Sequence, residues 1–276
     1  MKNSLVIFLS LLSSCCLGQT LIGDTWPVRL NSINLEAGHT QVKDLNLHPK
    51  VFNGLRLGAY YERLVKSRTG SLSVDSASGS YFHRQIIMTY SAGFNIEAIN
   101  TSYEDFPSAA VINLQGNFKY LFPARRRENP IYFIGPAARL QYGTSLYFNW
   151  DESHLYYANY ISAAIAGRSE IKIADKIFYA GLEIPIVSVI CRPIPNRLYK
   201  IDDMTFRGVL STLADNPEFA LPDKNFYVGS EIMMEYHTQK YKLREVGARF
   251  MYHYMKASDG YPYRYATINI SYKFFL

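Results

Sequence analysis

Charged residues recur within apolar runs of this chain at spacings that allow chemistry. They are Glu36, Arg56, Glu62, Glu97, Lys119, Arg139, Arg168, Glu170, Glu183, Glu231, Glu235, Glu245, Arg249 and Lys273. Most of them have apolar or aromatic neighbours at plus and minus one. Extended backbone sends successive side chains to opposite faces, so these charges share a face that the aliphatic residues avoid. Acids and bases occur in comparable numbers. Gathered into one interior, they can do one of two things. They can neutralise one another as a salt-bridged filling, or they can line a thin polar passage and select what enters it. If the last runs pair as hairpins, Glu231 falls opposite Arg249 and Glu245 opposite Lys273.

Groups suited to catalysis are sparse. Ser153 and His154 are adjacent in sequence, and neighbours on a strand point to opposite sides, so they do not form a nucleophile–base pair. His237 and His253 fall on the charged face, and His39, His48 and His83 are isolated. No Gly-x-Ser-x-Gly elbow, His-Glu-x-x-His pair or phosphate loop is present. No metal site and no cofactor are expected. The cysteines are Cys15, Cys16 and Cys191. Loss of a leader would leave Cys191 alone, which makes no internal disulfide. The run Arg125-Arg126-Arg127 reads as a solvated basic turn. The basic excess is small, and nucleic-acid binding has no support.

The elements that carry these charges are long alternating runs. They occupy residues 30–40, 54–65, 85–97, 112–120, 132–142, 161–171, 178–189, 226–237, 246–254 and 267–276, each closed by turn residues. In the first, Ile33, Leu35 and Ala37 oppose Asn34 and Glu36; in the last, Ile268, Ile270, Tyr272 and Phe274 oppose Asn269, Ser271 and Lys273. Val187 and Val189 blur the alternation at the end of the seventh run. Strands of a soluble β-sandwich average about five or six residues, and these are far longer. Ten such runs make an even count, as a closed barrel with both ends on one side of a membrane requires. The expected fold is therefore all-β, a single antiparallel transmembrane β-barrel of about ten strands, or twelve if Ser71 to Val74 adds a hairpin.

Composition agrees. The 276 residues are 48% hydrophobic with 23 Tyr and 16 Phe, yet mean hydropathy is only −0.10. Abundant aromatics without overall hydrophobicity suit strands wet on one face and greasy on the other. Beyond the leader no apolar run reaches the roughly 18 residues of a helical span. Residues 1–18 read as a cleaved signal peptide: Lys2, an apolar core from Leu5 to Leu12, and Cys16-Leu17-Gly18 before Gln19. Its removal takes Lys2 with it and the formal charge from +6 to +5. Leu12-Ser13-Ser14-Cys15 is also a lipobox-like stretch, which makes lipoprotein processing at Cys15 the alternative. Residues 19–276 form one barrel domain. The link 192–223 is the longest and belongs outside, whereas 66–80 would be an unusually long turn on the inner side. Tyr156, Tyr157, Tyr160, Tyr261, Tyr263 and Tyr265 suggest an aromatic girdle at the membrane interface.

The leader, the alternating strands and the terminal Ser271-Tyr272-Lys273-Phe274-Phe275-Leu276 resemble outer-membrane β-barrel proteins of Gram-negative bacteria, nearest to those of the Bacteroidota. The resemblance implies an outer-membrane location, with outer-membrane lipids and lipopolysaccharide as surroundings. It also implies that Tyr272, Phe274, Phe275 and Leu276 serve as the terminal signal read by the barrel-assembly machinery. Such signals usually end in Phe, and here Leu276 follows Phe275. The expected role is non-enzymatic: a narrow porin-like channel or a structural, surface-binding barrel. A lipid-modifying hydrolase and an accessory barrel for envelope assembly or secretion are the alternatives. The 192–223 link could fold in as a plug or cover the mouth, and oligomeric state is not legible.

Overall fold

The computed structural model describes residues 28–45, 51–68, 85–100, 109–125, 130–148, 155–173, 176–192, 217–238, 242–258 and 260–276. The leader at 1–18, Ser71 to Val74, Ser153, His154, His48, His83, Arg126, Arg127 and residues 193–216 of the 192–223 link lie outside the described residues.

Long strands dominate: β1 (Val28–Asp44), β2 (Phe52–Arg68), β3 (Gln85–Asn100), β4 (Ala109–Arg125), β5 (Ile131–Tyr147), β7 (Asn159–Ile173), β8 (Lys176–Cys191), β10 (Asn225–Thr238), β11 (Lys242–Met255) and β12 (Tyr263–Phe275). Two short ones, β6 (Leu155–Tyr157) and β9 (Pro217–Ala220), complete the set. The ten long strands pair antiparallel in chain order, β10 pairs β8 across the short β9, and β1 pairs β12. The sheet is closed. β6 and β9 hang from β5 and β8 at one end. The twelve elements are thus a ten-strand barrel with two rim extensions, and the extra pair does not come from residues 71–74. That rim is the loop end. The opposite, turn end carries both termini of the barrel and the short connections at 174–175 and 239–241.

The closing seam is long. β1 and β12 are in register from Ser32 opposite Phe275 to Asp44 opposite Tyr263, and the Leu276 amide adds a bond to the Asn31 carbonyl at 2.8 Å. In hydrocarbon an unpaired backbone group costs several kcal/mol, so this pairing must reach the end of the last strand. Side chains obey the alternation. Leu55, Leu57, Ile232, Ile268 and Ile270 are each 60% exposed or more on the outside, while Asn34, Glu97, Asn225 and Ser271 are wholly buried inside. An apolar exterior around a polar interior is the inverse of a soluble core.

Two bulges disturb the pattern, each beside a proline that has no amide to offer the ladder. In β4 the register steps from Pro123 to Arg125. In β8 Val187 pairs with Ala163 but Pro185 pairs with Ala164, leaving Ile186 as the extra residue. The inward set therefore changes phase, from Tyr179, Gly181, Glu183 and Pro185 to Ser188, Ile190 and Arg192. This is the physical cause of the irregularity at Val187 and Val189.

Deleting 274–276 removes the final β1 partners and the Leu276–Asn31 bond. The truncated chain is expected to reach the membrane as heat-modifiable barrel at a small fraction of the normal level, on gels run with and without boiling. Normal levels would show that the terminal residues do not drive assembly.

The barrel interior as candidate functional site

The interior has three regions. A central chain of alternating charge crosses the closing seam. Arg56 lies 3.5 Å from Glu97 and 3.4 Å from Glu36. Glu36 also receives Arg249 at 2.6 Å, and Arg249 reaches Glu231 at 3.1 Å. Lys273 holds Glu62 at 2.8 Å and Glu245 at 2.9 Å. The Tyr179 hydroxyl donates to Glu245 and accepts from Lys273 at 3.3 Å. The register sets Glu231 opposite Arg249 and Glu245 opposite Lys273. Arg249 on β11 thus bonds to β1, and Lys273 on β12 bonds to β2, so ion pairs tie the first strands to the last from within.

Two smaller clusters stand on the far wall. Glu183 accepts from Asn117 at 2.9 Å and from the Tyr227 hydroxyl at 3.0 Å, with Lys119 at 3.3 Å and Arg139 at 3.9 Å. Glu170 pairs with Arg168 at 2.8 Å and Lys66 at 3.6 Å, and the Arg168 guanidinium lies 3.9 Å from the Tyr179 ring centre. Glu235 is half-buried nearer the turn end, level with Glu245. All fourteen charged positions named from the sequence thus have their strands' inward phase. Tyr272, Phe274 and Leu276 face outward, and Phe275 turns inward, half-buried.

Toward the loop end the interior is packed. Tyr160, Tyr227, Tyr265 and His253 are 2% exposed or less. The Tyr160 and His253 rings are 4.6 Å apart, Tyr160 and Tyr227 5.7 Å, and Tyr263 stacks on Tyr265 at 6.2 Å. This corrects the girdle: Tyr160, Tyr263 and Tyr265 point into the barrel, because they share the phase of Ser162, Thr267 and Lys273, and Tyr157 is buried at the rim. Above this layer, Arg192 bonds to Asp44 at 2.7 Å and to the carbonyls of Tyr261 and Met255 at 2.8 and 3.2 Å. One buried guanidinium thereby ties β8 to β1, β11 and the last loop. Sequence reasoning missed this latch. Asp44 merely continues the even-numbered inward phase of β1, but the β8 bulge hides Arg192.

A serine–histidine centre does not assemble among the described residues. Ser162 accepts from Ser188 at 2.9 Å, Ser188 accepts from the Asn225 amide at 2.7 Å, and Asn225 Oδ1 meets His253 Nε2 at 2.7 Å. The amide stands between base and hydroxyls and cannot relay a proton as an imidazole does. The group is also inside the barrel, away from lipid. His39 is exposed on the outer surface, and the His237 side chain lies outside what is described.

Removing one member of a buried ion pair strands its partners and costs about 3–5 kcal/mol. Lys273→Met is therefore expected to lower the thermal midpoint of the barrel in detergent markedly. Adding Glu62→Gln and Glu245→Gln should recover much of the loss, because the stranded charges are gone. A Lys273→Met barrel as stable as the parent would rule out this stabilising role.

No protein family and no curated protein matches the chain. Among solved structures it is similar to the translocator domain of the autotransporter NalP from Neisseria meningitidis, at 10% identity and a TM-score of 0.39, over 99% of this chain and 95% of that one. It is also similar to the transport unit of the autotransporter AIDA-I from Escherichia coli, at 9% identity and a TM-score of 0.36, over 99% and 96%. Both likenesses are distant and stop short of any functional inference.

Proposed function

We propose that the chain is an integral outer-membrane barrel, exported through a cleaved signal, that conducts no solute in its resting form and works through its surfaces and loops. The carrying observation is the packed layer at the loop end, where Tyr160, Tyr227, Tyr265 and His253 are buried across the lumen under the Arg192–Asp44 latch. A porin-like passage would need water-accessible polar groups along its whole length. The charged centre supports the same reading, since its carboxylates and cations are paired with each other. The role is non-enzymatic, consistent with the interposed Asn225.

Charge segregation supports the membrane assignment. Every carboxylate of the ten barrel strands is in the inward phase. The outward-facing charged side chains Arg29, Lys43, Arg63, Lys176, Arg244 and Arg264 are all basic and lie toward the strand ends. Among the described barrel strands, outward cations near both rims with no outward carboxylate suit anionic headgroups, lipopolysaccharide phosphates among them. The terminal strand, with Tyr272, Phe274, Phe275 and Leu276, is the segment proposed for the barrel-assembly machinery.

Planar-bilayer recording tests the closed lumen. The parent protein is expected to give no steady current. Combined Arg192→Ala, Tyr227→Ala and Tyr265→Ala should open measurable conductance by removing the latch and two rings of the layer. A steady ohmic current from the parent would replace this reading with the narrow porin.

A further inference from the structure

Below the tyrosine layer the barrel is not full. A polar cavity of about 130 Å³, partly open to solvent, remains among the inward side chains. We propose that this cavity is a binding site for a small oxyanion, a carboxylate or phosphate gripped by Lys119 and Arg139. The proposal goes beyond the closed-barrel reading and does not depend on it.

The space is written into the chain as a missing side chain. At most inward glycines a large neighbour lies over the vacancy. A Cβ on Gly247 would stand 2.6 Å from Met233 Sδ, one on Gly93 would stand 2.6 Å from the Tyr60 ring, and one on Gly181 would stand 2.8 Å from Glu231. Gly229 is different. Its Cβ would meet nothing closer than Arg139 Nη1 at 3.7 Å and Glu183 Cβ at 4.0 Å. No side chain was placed to fill that position, and the guanidinium is what overlooks it.

The electrostatics name the ligand. β4 and β5 carry no carboxylate at all, yet they supply Lys119 and Arg139. The carboxylate nearest to both is Glu183, and Asn117 and Tyr227 already hold its oxygens at 2.9 and 3.0 Å. Lys119 at 3.3 Å and Arg139 at 3.9 Å are its looser partners. Lys119 and Arg139 thus share one carboxylate, whereas Arg56, Arg168 and Lys273 also have Glu97, Glu170 and Glu245 beyond the cavity wall. Two cations that share one carboxylate, itself already held by Asn117 and Tyr227, retain donor capacity for a further anion. A ligand with several acceptor oxygens can bridge the two cations, and the guanidinium fork matches carboxylate or phosphate geometry.

The test titrates inorganic phosphate, succinate and glycerol phosphate separately into the full barrel in neutral detergent and chloride buffer, by isothermal calorimetry. Saturable binding of at least one is expected. Tightest binding of phosphate would indicate a free ion, of succinate a dicarboxylate, and of glycerol phosphate a headgroup fragment. Gly229→Leu, which fills the space, and Lys119→Gln, which removes a cation, should each weaken binding by about tenfold or more, equal to about 1.4 kcal/mol. Heat-modifiable migration verifies that each variant is folded. Absence of saturable heat with all three probes would overturn the site, as would unchanged affinity in both folded variants. Either failure leaves the conductance result, and so the closed-barrel reading, untouched.

Discussion

A strand in hydrocarbon has no water to bond to, so every backbone amide and carbonyl must find a partner in the next strand. The rest of this molecule follows from that constraint. An open sheet would leave two edges, so β1 and β12 must meet, and they do so along nearly their whole length. Closure then encloses one face of every strand. Whatever sits at alternate positions must fill a cylinder of fixed width or leave a void. Charges can stand there only if each finds its opposite, which explains why the centre is a chain of alternating sign and not a set of isolated pairs.

Size matching does the remaining work inside. Tyr60 lies over Gly58 and Gly93 from its own strand and the next. Its hydroxyl accepts from Arg56 at 2.6 Å. Asn269 occupies the space left by Gly38, and Met233 the space left by Gly247. A glycine weakens a strand intrinsically by offering nothing to pack, but here it makes room for a neighbour that fills more than a methyl could. The interior is thereby divided between a packed aromatic layer and a polar region with open space.

Much of this was legible in the sequence. Period-two alternation located all ten strands, and the even count followed. The inward charges were readable as soon as the phase was set, because a single glutamate in a strand fixes which face is polar. Reading failed where phase failed. The β8 bulge adds one residue at Ile186, so Arg192, placed in a loop by pattern, becomes the buried latch. The rim tyrosines were misjudged for another reason. Tyrosine suits both a membrane interface and a wet interior, and its identity does not report the face. Phase does: Tyr263 and Tyr265 carry the same parity as Lys273. Vacancy was the least visible feature. A glycine in a strand looks alike whether a neighbour covers it, as at Gly247, or nothing does, as at Gly229.

The seam-crossing pairs have a consequence in time. Arg249 and Glu36 are 213 residues apart, and Ser271 and Asn34, bonded at 2.6 Å, are 237 apart. Contacts between such distant positions contribute nothing until nearly the whole chain has assembled. A last strand shifted by one residue would send Lys273 to lipid and leave Glu62 and Glu245 unpaired inside. The interior network therefore rewards only the correct final register and does so all at once. It acts as a proofreading step at the moment the barrel shuts.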